Sequence, residues 1–278
     1  MRKPIEAFNR VELIVVIGIV ALISAISLSA VSRSGPQVQR LACSNNLKQV
    51  GLAFRTWAID HNGNTPMSLS QSQGGDSEDV GHRVLGADQQ SSVGVSKMFL
   101  CMSNELITPK ILFCPAEYEN TYRQAATNFA GVPAPGTVPY INDLNASYFI
   151  GVDAQETSPR LFLTGDHNIG GDGNPPSTAF CAAPAVYSPA GYAVWLGTNW
   201  NVNQGPAFMA NQHDKQGNIG FADGSVEWFD LRSVFTYLRL QAALKSSGDT
   251  GRAPGTNFKP AAGIGPLPGP GCNRIQLP

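Results

Sequence analysis

A chain of 278 residues with 42% hydrophobic and only 14% charged side chains carries too little charge and too much apolar surface to be disordered, and its length allows one large domain or two small ones. A net charge of −1 without any basic stripe excludes general nucleic-acid binding. The 29 Gly and 20 Pro, mostly after residue 60, fit a loop-rich α+β domain rather than a helical bundle.

Residues 13–31, LIVVIGIVALISAISLSAV, hold no charge, and a helix needs roughly 20 apolar residues to cross the hydrocarbon core. Arg2 and Lys3 precede the run, so the positive-inside rule keeps its start in the cytoplasm and sends the remainder out. Its three serines can return their hydroxyls to the helix backbone. A cleaved signal peptide is the competing reading. Against it, the run exceeds the usual h-region of about 7–15 residues, no clear A-x-A site leads into a loop, and Glu12 sits at the edge, where a carboxylate is expensive without a partner.

The stretch Ala7-Phe8-Asn9-Arg10-Val11-Glu12-Leu13-Ile14-Val15-Val16-Ile17 resembles the leader of type IV prepilins and pseudopilins, whose usual form is G-F-T-L-I-E-L-L-V-V-I. The resemblance implies that a prepilin peptidase cuts between Ala7 and Phe8 and N-methylates Phe8. It also implies that Glu12 neutralises the terminal amine of a neighbouring pilin-like subunit during assembly. Two opposite charges in a low dielectric attract strongly and relieve each other's burial. Ala7 stands where the family has glycine, and Asn9 and Arg10 stand where small or apolar residues are usual.

Arg33-Ser34-Gly35-Pro36 predicts a break, with Pro36 bending or restarting the helix. Cys43, Leu47, Val50, Phe54 and Trp57 then recur at helical spacing on one face, opposite Arg40, Asn45, Lys48, Gln49 and Arg55. His61-Asn62-Gly63-Asn64 predicts the end of this helix. The string Cys43-Ser44-Asn45-Asn46-Leu47-Lys48-Gln49-Val50-Gly51-Leu52-Ala53 is similar to the C-x-N-N-L-K-Q-I-G-L-A segment of a group of prepilin-like proteins with a domain of unknown function, common in planctomycetes and verrucomicrobia.

Further along, residues 68–96 read as a polar surface loop, Val95 to Leu106 as a short helix, Lys110 to Cys114 as a strand stopped by Pro115, and Ser147 to Val152 and Arg160 to Thr164 as strands around a turn at 153–159. Asn218 to Ala222 and Ser225 to Phe229 flank Asp223-Gly224, which predicts a two-residue hairpin turn with positive φ at both positions. His213 lies ten positions before Asp223, and this H-x9-D-G pattern resembles the C-terminal signature of the same prepilin-like group. Asp230 reads as the cap of a helix to about Lys245, and the last 30 residues as an extended or mobile Gly- and Pro-rich tail.

The five cysteines, Cys43, Cys101, Cys114, Cys181 and Cys272, contain no C-x-x-C pair, so a zinc or thioredoxin reading finds no support in their spacing. In an exported domain Cys101 with Cys114 is a candidate disulfide, and small buried apolar residues are the alternative. His213 with Asp223 invites a catalytic reading, but no G-x-S-x-G or H-E-x-x-H accompanies the pair. The structural expectation is that His213 bonds to the hairpin backbone. Asp166, Asn168, Asp172 and Asn174 alternate with glycines in the manner of a calcium loop, without the glutamate of an EF-hand; an Asx- and Gly-rich turn is the alternative. Some pseudopilins hold calcium in a loop of the sheet domain. Trp195, Trp200, Tyr187 and Tyr192 with Asn199, Asn201 and Asn203 suit either sugar binding or core packing.

These readings predict an α+β, pilin-like fold: a long bent N-terminal helix, transmembrane in its first half, packed on an antiparallel sheet with long loop insertions. The expected segments are a leader (1–7), a transmembrane helix (8–32), an amphipathic continuation (33–61), a globular domain (62–247) and a tail (248–278). The expected function is that of a pseudopilin or minor pilin of a type II secretion or type IV pilus-like system, not an enzyme, in the cytoplasmic membrane with the C-terminal domain in the periplasm or at the cell surface. The alternative, favoured by Ala7 and Arg10, is a membrane-tethered binding protein, for instance for polysaccharide, that uses the leader only for export.

Overall fold

The computed structural model describes residues 9–80, 84–85, 92–117, 123–170, 193–195, 207–208, 213, 216–230 and 274–276. The chain divides into two compact units, Met1–Gln39 and Arg40–Pro278.

Helix α1 spans Arg10–Asp60. Asn9 and Glu12 open it with a reciprocal cap: Val11 N donates to Asn9 Oδ1 at 3.3 Å and Asn9 N to Glu12 Oε2 at 3.0 Å. Ser24 Oγ donates to Val20 O at 2.7 Å, the return of a hydroxyl to the helix backbone expected of these serines. The expected break at residues 33–36 is absent: Pro36 lies inside the helix, where it withholds one N–H from the ladder while the turns on either side sustain it. Among the described residues, no helix is long and apolar enough to cross a membrane.

In the larger unit, α1 buries the predicted face. Cys43, Leu47, Val50, Phe54 and Trp57 are all at most 2% exposed. The helix ends as its sequence predicts, with Asn62 and Gly63 at positive φ and Gly63 N bonded to Ala58 O at 2.7 Å. Residues 66–79 form short 3₁₀ turns (Pro66–Ser68, Gln71–Gln73, Ser77–Asp79) rather than an open loop, and they bury Met67 and Asp76. Strands β1 (Val84–Leu85) and β2 (Ser92–Val93) pair antiparallel. Helices α2 (Val95–Cys101) and α3 (Ser103–Leu106) occupy the predicted helical segment. The strand expected at 110–114 is instead a 3₁₀ helix, Pro109–Leu112. Pro109 fixes a helical φ at the first position, and Thr108 caps the turn by accepting from Lys110 N.

Among the described residues the main sheet has six antiparallel strands. In chain order they are β3 (Tyr148–Gly151), β4 (Phe162–Asp166), β6 (Ala193–Trp195), β8 (Gln216–Phe221), β9 (Val226–Asp230) and β10 (Arg274–Gln276), arranged β6-β10-β3-β4-β8-β9. A separate pair joins β5 (Ile169–Gly170) to β7 (Ala207–Phe208). Every residue of β3, β4 and β8 is buried, so these strands are covered on both faces. Tyr148, Ile150 and Leu163 join the core that includes Cys43, Leu47 and Phe54, while Phe162 and Phe221 meet edge to face, 5.5 Å between ring centroids. Two expectations change here. Arg274–Gln276, part of the expected tail, is an interior strand with Ile275 fully buried; hydrogen bonds from both neighbours hold a three-residue strand that no local pattern announces. The β8–β9 hairpin has only Gly224 at positive φ (80°), with Gly224 N bonded to Phe221 O and Phe221 N to Ser225 O. That is a three-residue loop ending on a left-handed glycine, so Asp223 needs no positive φ. The predicted helix after Asp230, the tail other than β10, and Tyr187, Tyr192, Asn199, Trp200, Asn201 and Asn203 lie outside the described residues.

Candidate functional site

The chemistry-bearing residues of the larger unit converge on a buried polar centre where α1, the segment after the Pro109–Leu112 turn, the end of β4 and the start of β8 meet. Cys43 from α1 is bonded to Cys114, S–S 2.04 Å, across 71 residues of sequence. Cys114 therefore pairs with Cys43, not with Cys101, which is a free thiol. Position on α1 decides this: Cys43 lies on the face that the fold presses against the segment carrying Cys114. Cys181 and Cys272 lie outside the described residues.

His213 is 6% exposed, and its Nε2 lies 3.2 Å from Cys114 Sγ and 3.6 Å from Asp166 Oδ2. The sulfur, being disulfide-bonded, has no proton to give, so in this contact Nε2 is the donor. The 3.6 Å approach to Asp166 is too long for a hydrogen bond and is an ion pair only if His213 is charged. Burial, together with the positive charge of Arg40, pulls the His213 pKa down to about 4 against the opposing field of Glu117, so the imidazole is neutral at pH 7. Asp166 is fully buried, and burial pushes its carboxyl up to about 7 even though Asn218 opposes the shift. Asn218 N and Nδ2 donate to Asp166 Oδ2 at 2.6 and 2.9 Å, while Asp166 Oδ1 has no hydrogen-bond partner among the described residues.

A second layer surrounds these groups. His167 Nε2 meets Glu117 Oε2 at 2.7 Å. Burial raises the Glu117 carboxyl, but the bond and charge of His167, with Arg123, outweigh it and hold the group below its usual range. Asn46 Nδ2 donates to Phe113 O at 3.3 Å and to Tyr148 Oη at 3.4 Å. Asn168 Nδ2 donates to Gln216 O at 3.0 Å.

The H-x9-D-G residues do not meet. The expected bond from His213 to the hairpin backbone is replaced by its contacts with Cys114 and Asp166, because β8 carries the hairpin six residues, on the order of 20 Å, away. Asp223 Oδ1 instead accepts from Ser225 N at 2.8 Å, within its own turn. Arg55 of α1 donates to Asp223 O, and α1 passes so close to the hairpin that a Cβ at Gly51 would lie 3.8 Å from the Gly224 Cα. Arg40 lies over the Trp228 ring at 5.6 Å. Of the calcium-loop residues, Asp166 and Asn168 turn inward to this centre, and Asp172 and Asn174 lie outside the described residues, as do Ala7 and Phe8. Glu12 caps its own helix.

Sequence reasoning missed Cys43, Asn46, Glu117, His167, Asn218 and Gln216 as members of one centre. Cys43 and Asn46 stand inside the C-x-N-N-L-K-Q-like string, His167 lies between Asp166 and Asn168 of the calcium-type stretch, and Asn218 opens the hairpin run; Glu117 and Gln216 sit in no motif. Comparison with family models, with curated proteins and with solved structures finds no match for this chain.

Proposed function

We propose that the chain is a pilin-like structural subunit, a pseudopilin or minor pilin, anchored in the cytoplasmic membrane through α1 and displaying its α+β domain outside. The observation that carries this reading is the exposure of the apolar residues near the start of α1. Val11, Leu13 to Ile17, Ile19, Val20, Leu22 and Ile23 are 48–69% exposed. Because they occupy nearly consecutive positions, they cover every side of the helix, and a helix apolar all round needs lipid or protein about it. All but Val11 belong to the longer uncharged run 13–31 of the sequence. The resemblance of residues 7–17 to the prepilin leader supplies the mode of assembly, with Glu12 as partner of a neighbour's terminal amine. In the single chain Glu12 serves the Asn9 cap, so assembly exchanges a local bond for a charged one.

The test uses the full chain in bacterial membranes. The protein should fractionate with the membrane, begin at N-methylated Phe8 by intact mass, and form dimers when Ile17→Cys is oxidised in a Cys101→Ser background. Glu12→Gln should abolish the crosslink without releasing the protein. Recovery in the soluble fraction would overturn anchoring, and membrane-bound protein without any crosslink would overturn assembly.

A further inference from the structure

Four groups of metal-ligating type, carried by four separate parts of the chain, lie within 4.8 Å of one another in the buried centre: Cys43, Cys114, Asp166 and His213. As a disulfide, the two sulfurs carry no charge and are poor ligands, because it is the thiolate that binds metal. We propose that reduction of the Cys43–Cys114 bond converts this centre into a four-coordinate site for a divalent ion of the zinc class, held by Cys43 Sγ, Cys114 Sγ, His213 Nε2 and a carboxylate oxygen of Asp166.

The ligand set is of the mixed sulfur, nitrogen and oxygen type that zinc accepts in tetrahedral sites. Metal–ligand bonds of roughly 2.0–2.3 Å at tetrahedral angles place the ligand atoms roughly 3.3–3.8 Å apart. His213 Nε2 already stands 3.2 Å from Cys114 Sγ and 3.6 Å from Asp166 Oδ2. The two sulfurs must separate from 2.04 Å to roughly 3.8 Å, and the remaining ligand pairs, all within 4.8 Å, must settle to the same spacing. The centre also has a group that the disulfide form leaves uncompensated. Asp166 is fully buried, its Oδ1 lacks a hydrogen-bond partner among the described residues, and Asn218 holds Oδ2 with two bonds. That is the arrangement of an oriented carboxylate ligand with its outer shell in place. A dication would give the carboxylate the counter-charge it lacks.

The chemistry balances with a dithiol as reductant: it passes two electrons and two protons to the disulfide, becomes a disulfide itself, and leaves two thiols at Cys43 and Cys114. Binding of the ion then releases the two thiol protons. Both sulfurs are fully buried, so reduction proceeds through local opening.

The experiment takes the purified full chain, oxidised or reduced by a trialkylphosphine, which consumes one water and leaves as phosphine oxide. Cobalt(II) is titrated as the probe and displaced with zinc(II). The reduced chain should bind one equivalent with thiolate charge-transfer and tetrahedral visible bands, and the oxidised chain none. Asp166→Asn and His213→Ala should each weaken the reduced site by about tenfold or more, since even outer-shell partners carry that much. Absence of stoichiometric binding by the folded, reduced chain overturns the proposal, as does binding that both variants leave unchanged. If circular dichroism shows that reduction unfolds the chain, zinc must restore the folded spectrum and a cooperative melt; failure to do so also overturns it.

Discussion

Gly165 pairs with Phe149 across β3 and β4, and a Cβ there would come within 2.6 Å of the Phe149 ring and 2.7 Å of Asn218 O. Gly165→Ala is therefore expected to destabilise the domain by about 1–3 kcal/mol, the cost of overpacking a filled site, read as a lower urea midpoint with the m-value unchanged. Asp76 is a second residue whose surroundings set its behaviour. Burial, then the neighbouring charge of Asp79, pushes its carboxyl up to about 7 against the bond from Gln71. A raised pKa means that the native state keeps a proton which the unfolded chain, at 3.8, gives up. Its contribution is thus complete below pH 3.8 and is lost as pH rises through 7. Asp76→Asn holds the neutral form at every pH. The melting temperature of the variant minus that of the parent should climb between about pH 4 and 7 and then level off; a difference that stays flat would mean Asp76 is charged in the fold.

At the scale of elements, α1 is held within the larger unit by its apolar face in the shared core and by specific contacts, of which two are open to direct test. One is the Cys43–Cys114 bond, which closes a 71-residue separation. Its loss through Cys43→Ala with Cys114→Ala should cost about 2–5 kcal/mol, measured by urea unfolding against the oxidised parent. The other is the packing of α1 against the β8–β9 hairpin, where Arg55 bonds Asp223 O and Gly51 faces Gly224. At the helix end, Gly63 at φ 78° caps α1, and Gly63→Ala should lower stability by about 1 kcal/mol, with a matching drop in melting temperature. The element that departed from its sequence reading at 109–112 did so because one proline fixed the backbone before side-chain pattern had a say.

For the molecule as a whole, the exposed aliphatic residues between Val11 and Ile23 set the expected behaviour: the full chain should need detergent to stay in solution. On the proposed anchoring through α1, a substitution such as Val16→Glu with Val20→Glu should release the chain from membranes, since a charge at the middle of a spanning helix costs about 2.5–3.5 kcal/mol. Sedimentation of membranes after carbonate washing checks this. Unchanged retention of the double variant would place the anchor elsewhere.

How much of this was legible in the sequence follows the range of each interaction. The apolar face Cys43 to Trp57, the end of α1 at Asn62-Gly63, the helical segment 95–106 and the strands at 148–151, 162–166, 216–221 and 226–230 all rest on local periodicity and turn chemistry, which a few neighbouring residues encode. The uncharged run 13–31 is equally local. Tertiary structure alone decided the rest. It chose Cys43 as the partner of Cys114, inserted Ile275 between β3 and β6, and brought Asp166, His213 and the disulfide within 4.8 Å. Those contacts join residues up to 170 positions apart, and no local preference records which distant segment a buried carboxylate or a cysteine will meet, because that choice is settled only when the sheet and α1 close on one core.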